Sequence, residues 1–162
     1  MNHNNLMRCL ISNDTNDRGF NVLKDIFLLA IRIYVAWIFL NSGLIKLSNW
    51  PQTLELFRSE YHVPLLPPVL AAYVGTAGEL IFPCLIIAGL FTRWAALGLF
   101  VVNAMAVISY PQLLDFECPA AINDHKYWAI LMTALFIFGA GRWSLDYFLG
   151  RKNVSKNGYQ SF

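Results

Sequence analysis

The sequence predicts an all-α integral membrane protein, a four-helix transmembrane bundle with a short interfacial helix in its first outside loop. Three observations lead there. Of 162 residues, 57% are hydrophobic and 14% charged, against about 45–50% and about 25% in a typical soluble domain. Four apolar runs recur, each long enough at about 1.5 Å per residue to cross a hydrocarbon core of about 30 Å. Lys and Arg are shared unevenly between the connections, which is the pattern that sets orientation in a bilayer. The length holds one domain of several spans but not a sizeable soluble domain besides. A net charge of +2 is too small to point to nucleic acid.

Residues 1–24 are polar, with Asp14, Asp17, several Asn and Gly19. They are expected to form a flexible tail. A cleaved leader is not expected, because the apolar run that follows is too long for one, contains Arg32, and lacks a small-residue cleavage site.

The first span is expected at about Ile26 to Leu47. Arg32, Ala36, Phe39, Gly43 and Lys46 follow a 4-3-4-3 spacing, so charges and small residues share one face, as on a side turned toward other helices. In the loop Ser48–Pro68, Ser48 or Asn49 can cap a helix that has Pro51 in its first turn. Leu54, Phe57 and Tyr61 then fall on one side, and the short helix is expected at headgroup level with Trp50 and Tyr61. The second span is expected at about Val69 to Phe91. Ala72, Gly75, Thr76 and Glu79 line one stripe, and Pro83 removes the amide that would bond the Glu79 carbonyl, which predicts a local kink.

The third span is expected at about Ala95 to Leu114, with Asn103 inside it, and the fourth at about Tyr127 to Phe148. Between them lies the acidic loop Asp115–Lys126. Together these make a domain over 25–150, followed by a basic tail over 151–162. The N-terminal tail, the 91–94 turn and the C-terminal end hold Arg8, Arg18, Lys24, Arg93, Arg142, Arg151, Lys152 and Lys156. The opposite loops hold Lys46, Arg58 and Lys126. Eight against three puts both termini in the cytoplasm.

Glu79 is the anomaly in this pattern, since a carboxylate inside an apolar span faces the protein interior and needs a partner. Depth arithmetic sets Glu79 about 18 Å from the cytoplasmic end, Asn103 about 15 Å, Arg32 about 10 Å and Lys46 about 30 Å. An Arg32–Glu79–Asn103 network is therefore expected, with Tyr34, Trp37 and Thr133 at similar depth as lining for a quinone or another ligand. Two readings of the network stay open: helix register alone, or a functional site.

His62, Cys118 and His125 are weak metal candidates, because no two have the spacing of a metal motif, and no metal is expected. Cys9, Cys84 and Cys118 form no CxxC. Cys84 reads as a small hydrophobe, and Cys9 and Cys118 fall on opposite sides of the membrane. Neither a CxxCH nor paired intramembrane histidines suggest haem.

The pattern RIYVAWIFLNSGLIKL, then AGELIFPCLIIAGLFTRWAALGL, then a last helix ending GAGRWSLD, resembles the DoxX family of small four-span bacterial membrane proteins. The features that carry the resemblance are Arg32, the SGLIK turn with Gly43 and Lys46, Glu79, Thr92–Arg93 and GRWSLD. The resemblance implies the bacterial cytoplasmic membrane. It also implies an association with membrane oxidoreductase complexes, thiol or oxidative stress, or copper handling, since the family takes its name from a subunit of an archaeal thiosulfate:quinone oxidoreductase. The leading expectation is an accessory component or subunit of a membrane redox system, linked to quinone or to sulfur and thiol chemistry, with the lipid bilayer and oxidoreductase subunits as partners. The alternative is a non-enzymatic small transporter or an assembly factor for metal or oxidative-stress handling.

Overall fold

Four long helices and a short one carry the chain through the computed structural model, which describes residues 18–110, 113 and 120–150. They are α1 (Arg18–Ser48), α2 (Trp50–Ser59), α3 (Pro68–Ala88), α4 (Thr92–Ser109) and α5 (Ala120–Phe138). A further helical stretch covers 145–150, and no strand occurs among the described residues. α1 packs on α3 and α5, and α4 packs on the same two helices from the other side. The ring closes on a core built from Leu28, Val35, Phe39, Ile86, Leu99 and Met132. Arg32 meets Ile86 while Gly43 meets Leu80, so α1 and α3 run antiparallel. The α1 start, the 89–91 turn and the α5 end therefore gather at one end of the bundle, here the lower end, and α2 lies at the upper end.

α3 and α4 are long and apolar enough to cross a membrane. α3 runs unbroken through Pro83 to Ala88 and stops there, three residues short of the expected boundary. Gly89 ends it in the left-handed region, φ +66°, and its amide donates to Ile86 O and Leu85 O. That is the usual glycine stop of a helix. A side chain here would also meet Ser144 Cβ at 2.5 Å and Arg32 Nη2 at 2.6 Å.

α4 runs from Thr92 to Ser109 where about Ala95 to Leu114 was expected, and helix ends differ from the sequence expectation in three more places. α1 begins at Arg18, so residues 18–24 are helical where a flexible tail was expected; the buried Asp25 ties this first part of the helix to Arg142. The rest of that tail, and the 151–162 tail, lie outside the described residues. α5 begins at Ala120, inside the expected acidic loop, because His125 is bonded into the bundle by Asn103. It ends at Phe138, ten residues before the expected boundary at Phe148, where Gly139 and Gly141, both at φ +75°, turn the chain back across the lower end.

α2 starts as the sequence suggests, with the Asn49 side chain accepting from Gln52 N at 3.3 Å and a proline in the first turn. Its apolar side does not face outward. Phe57, Leu54 and Trp50 pack on Ala71 and Ala72 of α3, and Thr53 Oγ1 donates to Lys46 O at 2.9 Å. The small residues of α3 leave a groove there that the aromatics fill.

Candidate functional site: three buried polar clusters

Arg32 is 1% exposed. Its guanidinium donates to four backbone carbonyls: Nε to Ile86 at 2.8 Å, Nη2 to Ile87 at 2.5 Å, and Nη1 to Ala140 at 3.1 Å and Trp143 at 2.7 Å. The first two belong to the last turn of α3, where carbonyls lack the usual i+4 amide donor (Ile86 O takes the Gly89 amide besides Arg32) and the helix dipole presents negative charge. The other two belong to the glycine-turned segment after α5. One planar fork thus ties three parts of the chain together, a task that suits Arg better than Lys.

Two carboxylates complete the lower end. Asp146 accepts from Phe91 N at 2.8 Å and Thr92 N at 3.0 Å, capping the start of α4. Its own amide donates to Gly89 O at 2.8 Å. Asp25, 5% exposed, accepts from Arg142 N at 3.1 Å and from Arg142 Nε at 2.5 Å. Burial by itself would raise the Asp25 carboxyl. The hydrogen bonds from Arg142, and the charges of Arg142 and Lys24, outweigh it and hold the group below the ordinary carboxylate range. The GRWSLD run is thus a set of ties, with Arg142 to α1, the Trp143 carbonyl to Arg32, and Asp146 to α4. An open depression of 460 Å³ lies beside it, walled by Phe91, Trp94, Phe138 and Tyr147.

The second cluster holds Glu79. Its two oxygens accept from Lys46 Nζ at 2.6 and 2.5 Å, and Lys46 also donates to Ser42 Oγ at 3.0 Å. Gly43 lets α3 come close: a side chain there would meet Leu80 Cδ2 at 2.9 Å and Glu79 Cβ at 3.2 Å. Tyr61 lies nearby, and burial first, then the Glu79 carboxylate, pushes its hydroxyl up.

The third cluster joins α4 and α5. Asn103, 3% exposed, donates through Nδ2 to His125 O at 3.0 Å and accepts at Oδ1 from His125 Nδ1 at 2.7 Å. An amide oxygen can only accept, so Nδ1 carries the proton. The His125 ring also stacks edge-on with Trp128.

Arg32, Glu79 and Asn103 are therefore all buried, but the structure does not bring them together. Each heads its own cluster. The physical reason is side-chain direction. On a helix the Cα–Cβ bond leans toward the N-terminus. On α1 this sends Arg32 down to the end of α3 and Lys46 down to Glu79, while on the antiparallel α3 Glu79 leans up to meet Lys46. Depth arithmetic along straight axes placed Lys46 out of reach, and the lean corrects it. Applied to the sequence, the same rule would have found the pair.

Tyr34 and Trp37 are 54% and 68% exposed, so they do not line a cavity with Arg32 and Glu79. Thr133 is exposed as well, its hydroxyl bonded to Ala129 O of its own helix. His62 is exposed and its Nδ1 lies 3.0 Å from Glu60 O, His125 is engaged by Asn103, and Cys118 lies outside the described residues. No group of three or more His, Cys, Asp or Glu able to hold a metal occurs among the described residues.

The outer surface is rich in large apolar side chains, among them Ile33, Ile81, Val101, Ile130 and Ile137. Soluble proteins seldom expose apolar area on this scale, and it suits contact with lipid. The family model for DoxX matches residues 27–111, from α1 to just past α4. A protein of Haemophilus influenzae described as uncharacterized is 35% identical over 124 residues, which span 74% of this chain and 80% of the relative. No solved structure matches. The match takes in Arg32, the Gly43–Lys46 turn, Glu79 and the Thr92–Arg93 start of α4, and the chain is a membrane protein of the DoxX family.

Proposed function

We propose that this chain is a four-span protein of the bacterial cytoplasmic membrane and an accessory component or subunit of a membrane redox system, with quinone or sulfur chemistry supplied by its partners. The observation that carries the reading is the use made of the buried charges. Asp25, Arg32 and Glu79 are each bound to another part of the same chain. They hold the helices to one another, as the charges of a scaffold do. Membership of a family named for an oxidoreductase subunit supports the redox setting. The four-span topology, with both termini in the cytoplasm, is supported by the alternating helix directions and by the excess of Lys and Arg that the sequence carries in its N-terminal, 91–94 and C-terminal segments.

Native mass spectrometry of the gently solubilised protein tests the functional reading. Bound quinone or co-purifying oxidoreductase subunits are the expected result. A chain that carries neither, and that moves a solute by itself in liposomes, would overturn it in favour of a small transporter.

A further inference from the structure

α1 has two seams on opposite sides. The inner one carries Leu28, Arg32, Val35 and Phe39 into the bundle. The outer one carries Phe27, Ala30, Tyr34, Trp37, Asn41 and Leu44, all exposed. Their spacing is 3-4-3-4-3 without a break, the repeat of a left-handed helix–helix seam. In that repeat Phe27, Tyr34 and Asn41 occupy one core position and Ala30, Trp37 and Leu44 the other.

Lipid is a poor occupant for this face. With α1 spanning from about Ile26 to Leu47, Asn41 lies about 9 Å inside the upper boundary, with Trp37 and Tyr34 deeper. The Asn41 amide, the Trp37 indole N–H and the Tyr34 hydroxyl have no hydrogen-bond partner among the described residues. Hydrocarbon offers none, and Trp and Tyr facing lipid favour the interface over this depth. Three polar tips on one line of an otherwise apolar stripe call for another helix.

We propose that the outer seam of α1 is a parallel two-fold interface with a second copy of this chain, set in register by an Asn41–Asn41 amide pair. A carboxamide carries both donor and acceptor, so it is complementary to itself across a two-fold axis. Two copies insert in the same orientation, which brings the two α1 helices parallel and the two Asn41 side chains to the same depth without sliding. A lone Asn at a core position of such a seam is a known device for setting register and stoichiometry. Ala30 lets the helices approach in the lower half.

The interface rests on the four-span reading, and its test separates the two. In a chain with Cys9, Cys84 and Cys118 replaced by serine, single cysteines are placed at Trp37, Asn41 and Leu44, and off the seam at Ile33 and Leu40. Oxidation in native membranes is expected to give covalent dimers of twice the chain mass at 37, 41 and 44 and not at 33 or 40. Equal yields at all five positions, none on the seam, or adducts to a different protein would overturn the interface. Asn41→Leu, which changes an outward residue, is expected to leave thermal stability unchanged and lower the dimer fraction about tenfold, with Asn41→Gln retaining most of it. An undiminished dimer fraction in Asn41→Leu removes the amide pair. Ser48→Cys reports topology separately. Labelling from outside by an impermeant maleimide, without seam cross-links, leaves the four-span reading and defeats the dimer; no outside labelling defeats both.

Discussion

The two charged centres of the bundle are held in opposite ways. At the lower end, Arg32 donates to four backbone carbonyls on two segments. In the middle, Glu79 meets another side chain, Lys46, and nothing in that pair belongs to the main chain. A carbonyl cannot be removed by substitution, so the partners of Arg32 remain whatever replaces it. Glu79 and Lys46 can be removed together. The lower end is thus a fixed joint, and the middle pair is an exchangeable one.

The largest effect is expected from breaking the joint. Arg32→Leu removes the side-chain donor from the Ile87, Ala140 and Trp143 carbonyls and leaves Ile86 O with the Gly89 amide alone, and should destabilise the bundle by about 3–5 kcal/mol. Arg32→Lys should recover little, because a single ammonium cannot span the fork. Gly89→Ala should fall in the same range, since it combines a left-handed backbone with contacts of 2.5 and 2.6 Å to Ser144 and Arg32. Thermal unfolding in detergent reads all three. An Arg32→Leu protein as stable as the parent would mean that the joint contributes nothing.

A smaller and partly reversible loss is expected at the middle pair. Glu79→Gln leaves the Lys46 ammonium without its counter-charge and should cost about 1–3 kcal/mol, discounted because the Lys46 side chain is 21% exposed. The double change Glu79→Leu with Lys46→Met should be less damaging than Glu79→Gln alone, because no charge is left stranded. Additive losses in a cycle of Glu79→Leu, Lys46→Met and the double change would show that the two side chains are not coupled.

The smallest effect is pH-dependent and belongs to the tie between α1 and the segment after α5. The Asp25 carboxyl is held below its ordinary value in the folded protein. Its stabilisation is therefore fully present above the unfolded value of about 3.9 and is lost as pH falls through the folded value. Unfolding measured from neutral pH downward should show the parent losing stability below about pH 4, with a shallower loss in Asp25→Asn. Equal slopes would show that Asp25 is not linked to folding.

Helices and pairings were not equally readable. α3 and α4 announce themselves by apolar length, and α2 by Asn49 and Pro51. The boundaries at residues 18, 120 and 138 did not, because each depends on a contact made far along the chain. Asp25 finds Arg142, Asn103 finds His125, and the carbonyls of Ala140 and Trp143 find Arg32. Such ties override the local polarity by which loops are recognised.

By itself the sequence determined an all-helical chain with apolar runs and a few charges that had to turn inward, because hydrocarbon and core alike penalise an unpaired charge. It also determined which face of α1 carries Arg32 and Lys46. Only the tertiary structure decided that these two cations go to different places. Antiparallel packing sets the lean of α1 side chains against that of α3, and this takes Lys46 to Glu79 and Arg32 to the terminal carbonyls of α3.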